Sequence, residues 1–198
     1  LGDPPMIEKS GLKAILSNPN VLTMSRIAAG PLIVILLLFP MNRVTFFLAA
    51  LIFSAASITD YLDGYLARKY GQISGFGKAM DPLADKILTA CAFIMLTAEG
   101  LIPGWVVCII ITRELSVTGL RNILAGKGED ISASFWGKWK TGFQIGTLIP
   151  LLIHYEYFGI DFHALGMLVL WVAVALTIWS GIDYFVKARA VFMSDVFS

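Results

Sequence analysis

The residues best placed to do chemistry are four aspartates that lie close together in an otherwise apolar chain: Asp60, Asp63, Asp81 and Asp85. If both stretches are helical, spacings of three and four residues put each pair on one helix face. The connecting sequence KYGQISGF is short and contains two glycines. This predicts two antiparallel neighbouring helices whose acidic faces turn toward each other.

Four carboxylates on facing helices cannot all stay ionised at low dielectric without cations. Arg68, Lys78 and Lys86 lie nearby in sequence and could neutralise some of them. A hard divalent cation is the stronger answer, because all-carboxylate sites suit Mg²⁺, Mn²⁺ or Ca²⁺. Neither histidine nor cysteine lies near the cluster, which disfavours zinc. Four acids are enough to hold two ions, the arrangement that clamps a phosphoryl group during displacement.

Small residues share the acidic faces, namely Gly64, Ala67 and Gly77. They leave space where larger side chains would fill the gap between the helices. Close helix packing is the alternative explanation, but packing alone needs no aspartates. A metal-bound ligand entering the gap would use the whole face, and Arg68 could hold a phosphate of that ligand.

The elements that position these residues are predicted to cross a membrane. The chain is 57% hydrophobic and 15% charged, with a mean hydropathy of +0.77, whereas soluble domains are about 25% charged. A net charge of +1 without a basic arm gives no indication of nucleic-acid binding. Six segments are long and apolar enough to span a bilayer: roughly 20–40, 43–68, 77–98, 102–124, 137–155 and 162–188.

The predicted fold is therefore all-α, a polytopic membrane protein whose six-helix catalytic domain covers 18–190. The first five residues, LGDPP, are interpreted as an expression remnant, and 191–198 as a C-terminal tail. Residues 6–17 are predicted to form an amphipathic helix on the membrane surface, with an ordinary solvated helix as the alternative.

Basic residues fall almost entirely on one side of the six spans, the side that also receives both termini, and Arg43 alone falls on the other. The positive-inside rule makes the basic side cytoplasmic. Both termini and the four aspartates are therefore expected at the cytoplasmic face. The lack of an Arg/Ser-rich presequence after Met6 favours a bacterial inner membrane.

From Asp60 to Asp85 the sequence reads D-x2-D-G-x2-A-R-x8-G-x3-D-x3-D. This pattern resembles the CDP-alcohol phosphotransferase family of membrane enzymes at all eight fixed positions. The resemblance implies six transmembrane helices, a homodimer and two divalent cations, Mg²⁺ or Mn²⁺. It also implies a CDP-linked lipid bound over the acids.

Residue roles follow from the same resemblance, position by position. It makes Asp60, Asp63 and Asp81 the main metal ligands, and Asp85 the general base and a further metal ligand. The remaining motif residues would bind the CDP-lipid: Gly64, Ala67 and Gly77 beneath the cytidine nucleotide, and Arg68 at its phosphate.

Three other segments are similar to bacterial family members that use glycerol 3-phosphate as acceptor: NPNVLTMSRIAAGP (18–31), ITRELSVTGLRN (111–122) and GKWKTGFQ (137–144). The implied reaction transfers the phosphatidyl group of CDP-diacylglycerol to glycerol 3-phosphate and releases CMP. Asn20, Thr23 and Arg26 are candidates for holding the nucleotide. A helix cap followed by an interfacial arginine explains them equally well.

An acceptor phosphate would need cations near the aspartates. Arg113 lies inside an apolar span, where a charge is a functional hypothesis by default. A local pair with Glu114 is the alternative, but adjacent residues point about 100° apart on a helix. Arg121 and Lys138 complete the predicted phosphate pocket. Lys140 points away from Lys138 on a helix and is left out.

Two further functions remain open at this point. A sister enzyme could use inositol phosphate, phosphatidylglycerol or serine as acceptor. Inositol phosphate would also need basic residues, so charge alone does not choose between it and glycerol 3-phosphate, whereas phosphatidylglycerol would need no pocket for a phosphomonoester. A divalent-cation transporter would need polar groups continuing across the bilayer. The outer halves of the predicted spans are nearly free of such groups, which counts against a transport path.

Overall fold

The structure is a computed structural model that describes residues 19–40, 42–70, 75–126 and 135–196. Its side-chain description covers 23–40, 42–60, 83–126, 136–137 and 139–189. The predictions for 1–5 and 6–17 lie outside the described residues.

The described chain is built from helices with one small hairpin. The helices are α1 (Pro19–Leu37), α2 (Arg43–Tyr70), α3 (Gly75–Ala98), α4 (Gly104–Gly126), α5 (Phe135–Ile153) and α6 (Phe162–Val196). They match the six predicted segments closely, and α6 runs on into the segment expected to form a C-terminal tail. The hairpin pairs β1 (Glu156–Tyr157) with β2 (Ile160–Asp161) in antiparallel register, and the sequence analysis did not predict it.

Side-chain and glycine caps set three of the helix ends. The Asn42 side chain accepts hydrogen bonds from the backbone N–H groups of Val44 and Thr45, both at 2.9 Å, and so caps the start of α2. Asp161 does the same for α6 through the N–H of Ala164. At the end of α3, Gly100 has a φ of 72°. The N–H of Leu101 reaches back to the carbonyl of Leu96 there, as in a Schellman motif.

Close helix packing is clearest between α5 and α6 and between α1 and α3. A Cβ added at Gly166 would lie 2.7 Å from Leu151 Cγ, so α5 and α6 approach more closely than any larger residue permits. A Cβ at Gly30 would lie 3.1 Å from Ile87. Helix α1 packs against both α2 and α3, and among the described residues the extensive contacts of α2 are with α1 and α5 rather than with α3. The predicted meeting of the acidic faces of α2 and α3 concerns 60–85, and most of the side chains of that segment lie outside the described part of the chain.

The core is apolar and lies toward the end of the bundle that carries the hairpin. Its fully buried members come from all six helices: Ile33, Phe46, Phe53, Phe93, Leu96, Val106, Leu148, Leu151, Leu152 and Leu170. We call this set the apolar core.

The outer surface of the bundle is also apolar. Large hydrophobic side chains are exposed on all six helices, for example Ile35, Leu51, Ile94, Trp105, Trp139 and Leu168. Such a surface is far more apolar than that of a typical soluble monomer. By length and composition, two of the described helices could cross a membrane, at Arg43–Asp60 and Phe162–Arg189, and a shorter apolar stretch runs over Thr23–Leu37.

Candidate active site

Two of the four predicted metal ligands have described side chains, and the fold brings them together. Asp60 lies near the end of α2, and Asp85 lies within the first half of α3. The two carboxylates are close enough to interact electrostatically. Arg26 of α1 is only 3% exposed and donates a hydrogen bond to Asp60. An arginine from the first helix thus stabilises one acid of the site.

The other motif residues lie on helices, as predicted, but their side chains are outside the described part of the chain. This group comprises Asp63, Gly64, Ala67, Arg68, Gly77 and Asp81. The same holds for Asn20 on α1 and Lys138 on α5. Thr23 is described, and its side chain is buried on α1 one turn before Arg26.

A second group of charges lies behind Asp85, where α3, α4 and α5 meet. Glu114 accepts hydrogen bonds from Lys140 of α5 and, at 3.3 Å, from Nη1 of Arg113. Lys86 and Lys140 both lie within electrostatic range of Asp85 and of Glu114. We call Lys86, Arg113, Glu114 and Lys140 the Glu114 cluster.

The Glu114 cluster corrects two sequence arguments. The local pair between Arg113 and Glu114 does form, because a long arginine side chain bends back to a neighbour that points elsewhere. Lys140, which was left out of the predicted pocket, is 4% exposed and faces the cluster. The helical-wheel argument placed it opposite Lys138, but the wheel does not say which of the two faces the bundle.

A chain of polar contacts ties the Glu114 cluster to α6. Nη2 of Arg113 donates to Ser180 Oγ at 3.0 Å, and Ser180 donates to the carbonyl of Thr177. Gln144 of α5 donates to Thr177 Oγ1 at 3.1 Å. Gly181 makes room for the arginine, since a Cβ there would lie 3.2 Å from Arg113 Cγ.

Arg121, the other described member of the predicted pocket, is exposed on α4. It lies within electrostatic range of Lys86, so it borders the Glu114 cluster without being part of its buried centre. Lys86 itself donates to Thr118 Oγ1, one turn before Arg121 on the same helix.

A cavity of about 50 Å³ lies between α3, α4 and α5. Lys86, Glu114 and Gln144 line its polar side, and residues such as Phe93 and Ile110 line the rest. A volume of this size holds roughly three or four water molecules. The Glu114 cluster therefore borders open space inside the bundle.

The donor set suits a hard divalent cation. Asp60 and Asp85 come from different helices and supply only carboxylate oxygens, the ligands that Mg²⁺ and Mn²⁺ prefer. The described side chains contain no group of three acidic, histidine or cysteine ligands, because Asp63 and Asp81 lie outside that part of the chain. Two facing carboxylates with a neighbouring group of cations can hold metal and phosphate side by side.

Comparison with known families agrees with this arrangement. The family model for CDP-alcohol phosphatidyltransferases matches residues 16–179, most of the chain. The chain belongs to the CDP-alcohol phosphatidyltransferase family. It is therefore an enzyme of the phosphatidyltransferase type, and this family uses divalent metal ions.

Curated relatives in the family cover nearly the whole chain. A protein of Bacillus subtilis (strain 168) is 43% identical over 180 residues, which is 85% of this chain and 93% of the relative. One of Rickettsia typhi is 39% identical, covering 88% of this chain and 98% of its own. One of Haemophilus influenzae is 36% identical, covering 90% and 96%. All three are named CDP-diacylglycerol--glycerol-3-phosphate 3-phosphatidyltransferase.

Sequence reasoning missed three partners that the phosphatidyltransferase fold supplies. Arg26, a sequence candidate for the nucleotide, contacts Asp60. Glu114, expected at most to pair locally with Arg113, also binds Lys140, which the predicted pocket did not include. Each is a charge within an apolar segment, which is the signal that could have identified them. What the sequence could not show is that the three lie on α1, α4 and α5, because side-chain partners depend on helix packing.

Proposed function

We propose that this phosphatidyltransferase transfers the phosphatidyl group of CDP-diacylglycerol to sn-glycerol 3-phosphate, giving phosphatidylglycerophosphate and CMP. The observation that carries the proposal is the shared name of relatives at 36% to 43% identity over most of the chain. The Glu114 cluster supports it, because a phosphomonoester acceptor needs several cations close to the acids that hold the metal.

In the proposed reaction, Asp85 takes the proton from the acceptor's primary hydroxyl. The hydroxyl oxygen forms a bond to the phosphatidyl phosphorus, and the bond from that phosphorus to the bridging oxygen of CDP breaks. CMP leaves with the electron pair of that bond. Two divalent cations, Mg²⁺ or Mn²⁺, supply charge stabilisation to the attacked phosphorus and the leaving phosphate.

The chain's own residues then divide the work. We assign Asp60, Asp63, Asp81 and Asp85 to the metals, and Arg26 to fixing the Asp60 carboxylate. The CDP-lipid is assigned to Asn20, Thr23, Gly64, Ala67, Arg68 and Gly77. The acceptor phosphate is assigned to Arg113, Arg121 and one lysine at the start of α5. The sequence favours Lys138 for that lysine, whereas Lys140 is the one that faces the Glu114 cluster. The contact of Arg113 with Ser180 on α6 holds this arginine in place.

We further propose that all six helices span a bacterial cytoplasmic membrane, with the acids at the cytoplasmic face. The exposed apolar side chains on every helix support the membrane setting, and the one-sided distribution of lysine and arginine supports the orientation. A lipid substrate and a soluble acceptor can meet only at such a face. A homodimer is proposed from the family resemblance.

The test is CMP release by the purified protein with CDP-diacylglycerol and Mg²⁺. Glycerol 3-phosphate, inositol phosphate, phosphatidylglycerol and serine are offered separately. Of the four acceptors, only glycerol 3-phosphate is expected to cause CMP release. This release should stop when the divalent cation is chelated. Release with a different acceptor would keep the family and overturn the proposed acceptor.

A matched pair of variants makes the result specific. Asp60→Asn removes a carboxylate from the site, and Asp183→Asn removes one from an exposed pair with Lys187 on α6. We expect Asp60→Asn to abolish release and Asp183→Asn to leave it unchanged. Equal loss in both variants would mean that the assay reports general damage rather than the site.

A further inference from the structure

A partly buried carboxylate surrounded by cations lies near Asp85, and it is not one of the aspartates of the motif. Glu114 of α4 accepts hydrogen bonds from Lys140 of α5 and from Arg113 on its own helix. Lys86 of α3 is within electrostatic range of the same carboxylate. One acid thus holds together cations from three helices.

The charges of the Glu114 cluster do not balance. Three cations, Lys86, Arg113 and Lys140, surround the Glu114 carboxylate. Asp85 and Arg121 also lie within electrostatic range of Lys86 and offset each other, so the group keeps an excess of two positive charges. A phosphomonoester carries close to two negative charges near neutral pH. The excess therefore matches the charge of the phosphate group of such a ligand.

Arg113 also has an unused donor. Its two terminal nitrogens donate to Glu114 and Ser180, but its Nε is buried and has no hydrogen-bond partner among the described residues. A buried donor without a partner calls for an explanation, and a bound anion is one. Together with the charge excess, this points to a ligand that completes the cluster.

A purely structural role explains the Glu114 cluster less well. Replacing a buried ion pair by apolar side chains is often neutral or stabilising, so stability alone gives little reason to keep four charges at the meeting point of three apolar helices. Charged residues inside membrane helices are rare and mark functional sites.

We infer that Glu114 is a positioning residue of the acceptor site: it fixes the orientation of Arg113 and Lys140 so that both face the phosphate of a phosphomonoester, and Lys140 is a phosphate-binding cation there. The inference rests on the proposed function for the identity of the acceptor. Without the Glu114 carboxylate, Arg113 and Lys140 repel each other, and both lose the hydrogen-bond acceptor that fixes their orientation. The aspartates proposed to bind the metals and to accept the proton are not altered by a change at Glu114.

The test is steady-state kinetics of CMP release for Glu114→Gln and Lys140→Met. We expect each to raise KM for glycerol 3-phosphate about tenfold or more, which corresponds to about 1.4 kcal/mol. The kcat at saturating acceptor and the KM for CDP-diacylglycerol should change less than about threefold, because metal and nucleotide groups are untouched. The double variant should be no worse than the poorer single variant, since the residues act as a pair.

One conservative variant and two control variants keep the inference falsifiable. Glu114→Asp retains the charge and should recover most of the acceptor KM, and it serves as the test if Glu114→Gln does not fold. Asp183→Asn and Lys187→Met make the same chemical changes in an exposed pair and should leave all constants unchanged. A fall in kcat with KM for glycerol 3-phosphate unchanged would overturn the inference.

Ligand-induced stabilisation separates this inference from the proposed function. Glycerol 3-phosphate should raise the thermal unfolding midpoint of the wild-type protein and not that of Glu114→Gln. If the wild-type protein shows this shift but releases no CMP with glycerol 3-phosphate, the proposed function fails and the inference stands. If the wild-type protein releases CMP and Glu114→Gln shows the same KM and the same shift, only the inference fails.

Discussion

The two ends of the helical bundle bury opposite kinds of side chain. Toward the hairpin, the apolar core contains residues such as Phe46, Leu96 and Leu152, each fully buried. Toward the other end, the same helices bury Arg26 and Lys140 and partly bury the other three members of the Glu114 cluster. One end is filled for packing, and the other keeps charges that packing does not require.

The difference teaches where each kind of mutation should act. Changes at the apolar core alter how well helices fit together and should be seen in stability. Changes among the charged residues alter groups that we propose face the substrates, and they should be seen in kinetic constants. A glycine-to-alanine substitution made at each end can therefore test whether the hairpin end affects stability and the charged end affects kinetic constants.

The largest effect is expected from Asp85→Asn at the charged end. The amide keeps the shape of the side chain but cannot accept the acceptor's proton, so kcat should fall by about a thousandfold, within the range for loss of a general base. The measurement is CMP release at saturating substrates. The unfolding midpoint should change little, because Asp85 is not part of the apolar core.

An Asp85→Asn protein that keeps more than a tenth of the wild-type kcat would contradict the assignment of Asp85 as general base, on which the largest expected difference between the two ends depends. Base catalysis would then belong to another group, and the acids would act only through the metal.

Gly166→Ala is the next largest change and acts where α5 and α6 meet. The new Cβ would lie 2.7 Å from Leu151 Cγ and 3.1 Å from the backbone nitrogen of Leu151, so the helices must separate. We expect a loss of about 1–3 kcal/mol of stability, typical of overpacking. Thermal unfolding in detergent checks it, with KM for glycerol 3-phosphate expected to stay unchanged.

Gly142→Ala and Gly146→Ala on α5 are the matched controls, since a Cβ at either position meets nothing within 4 Å. Both should be neutral or slightly stabilising, because alanine is the better helix former. Destabilisation of all three variants alike would show that helix flexibility, rather than the contact with Leu151, matters.

Gly181→Ala carries the same substitution to the charged end. Its Cβ would lie 3.2 Å from Arg113 Cγ and 3.7 Å from Nε, so the arginine must shift while the backbones need not. We expect KM for glycerol 3-phosphate to rise about fivefold, or about 1 kcal/mol, with little change in the unfolding midpoint. If Gly181→Ala instead costs as much stability as Gly166→Ala, the two ends do not differ in the way proposed.

Much of the fold followed from apolar segment lengths alone. Helix ends at Asn42 and Gly100 carry local signals, and the predicted segments lie within a few residues of α1 to α6 except at the end of α6, which continues to Val196. The hairpin at 156–161 escaped prediction because it is two short strands without an alternating pattern. The packing of α1 against both α2 and α3 depends on how the side chains of the three helices fit together, and the sequence of a single segment does not reveal this.

The candidate site, like the fold, has one part that the sequence predicts and one part that it does not. The aspartate motif can be read from the sequence because its spacing is fixed by two helices and the short connection between them. The partners of those aspartates are not, since Arg26 lies 34 residues from Asp60 in sequence and Lys140 lies 26 from Glu114. Such pairs form only after the helices have packed.

The smallest effect is expected from Arg43→Gln at the hairpin end. The guanidinium lies 5.1 Å from the ring centre of Tyr155 and 6.0 Å from that of Tyr157, and Arg43 is exposed. A cation–π contact at an exposed site contributes about 0.5–1 kcal/mol, so the unfolding midpoint should fall slightly while every kinetic constant stays unchanged. This outcome would show that even a charged residue at the hairpin end affects only stability, because its contacts are with neighbouring aromatic rings and not with substrates. A change in KM for glycerol 3-phosphate on removal of Arg43 would mean that the two ends are coupled through the helices. The division between packing and substrate binding would then have to be given up.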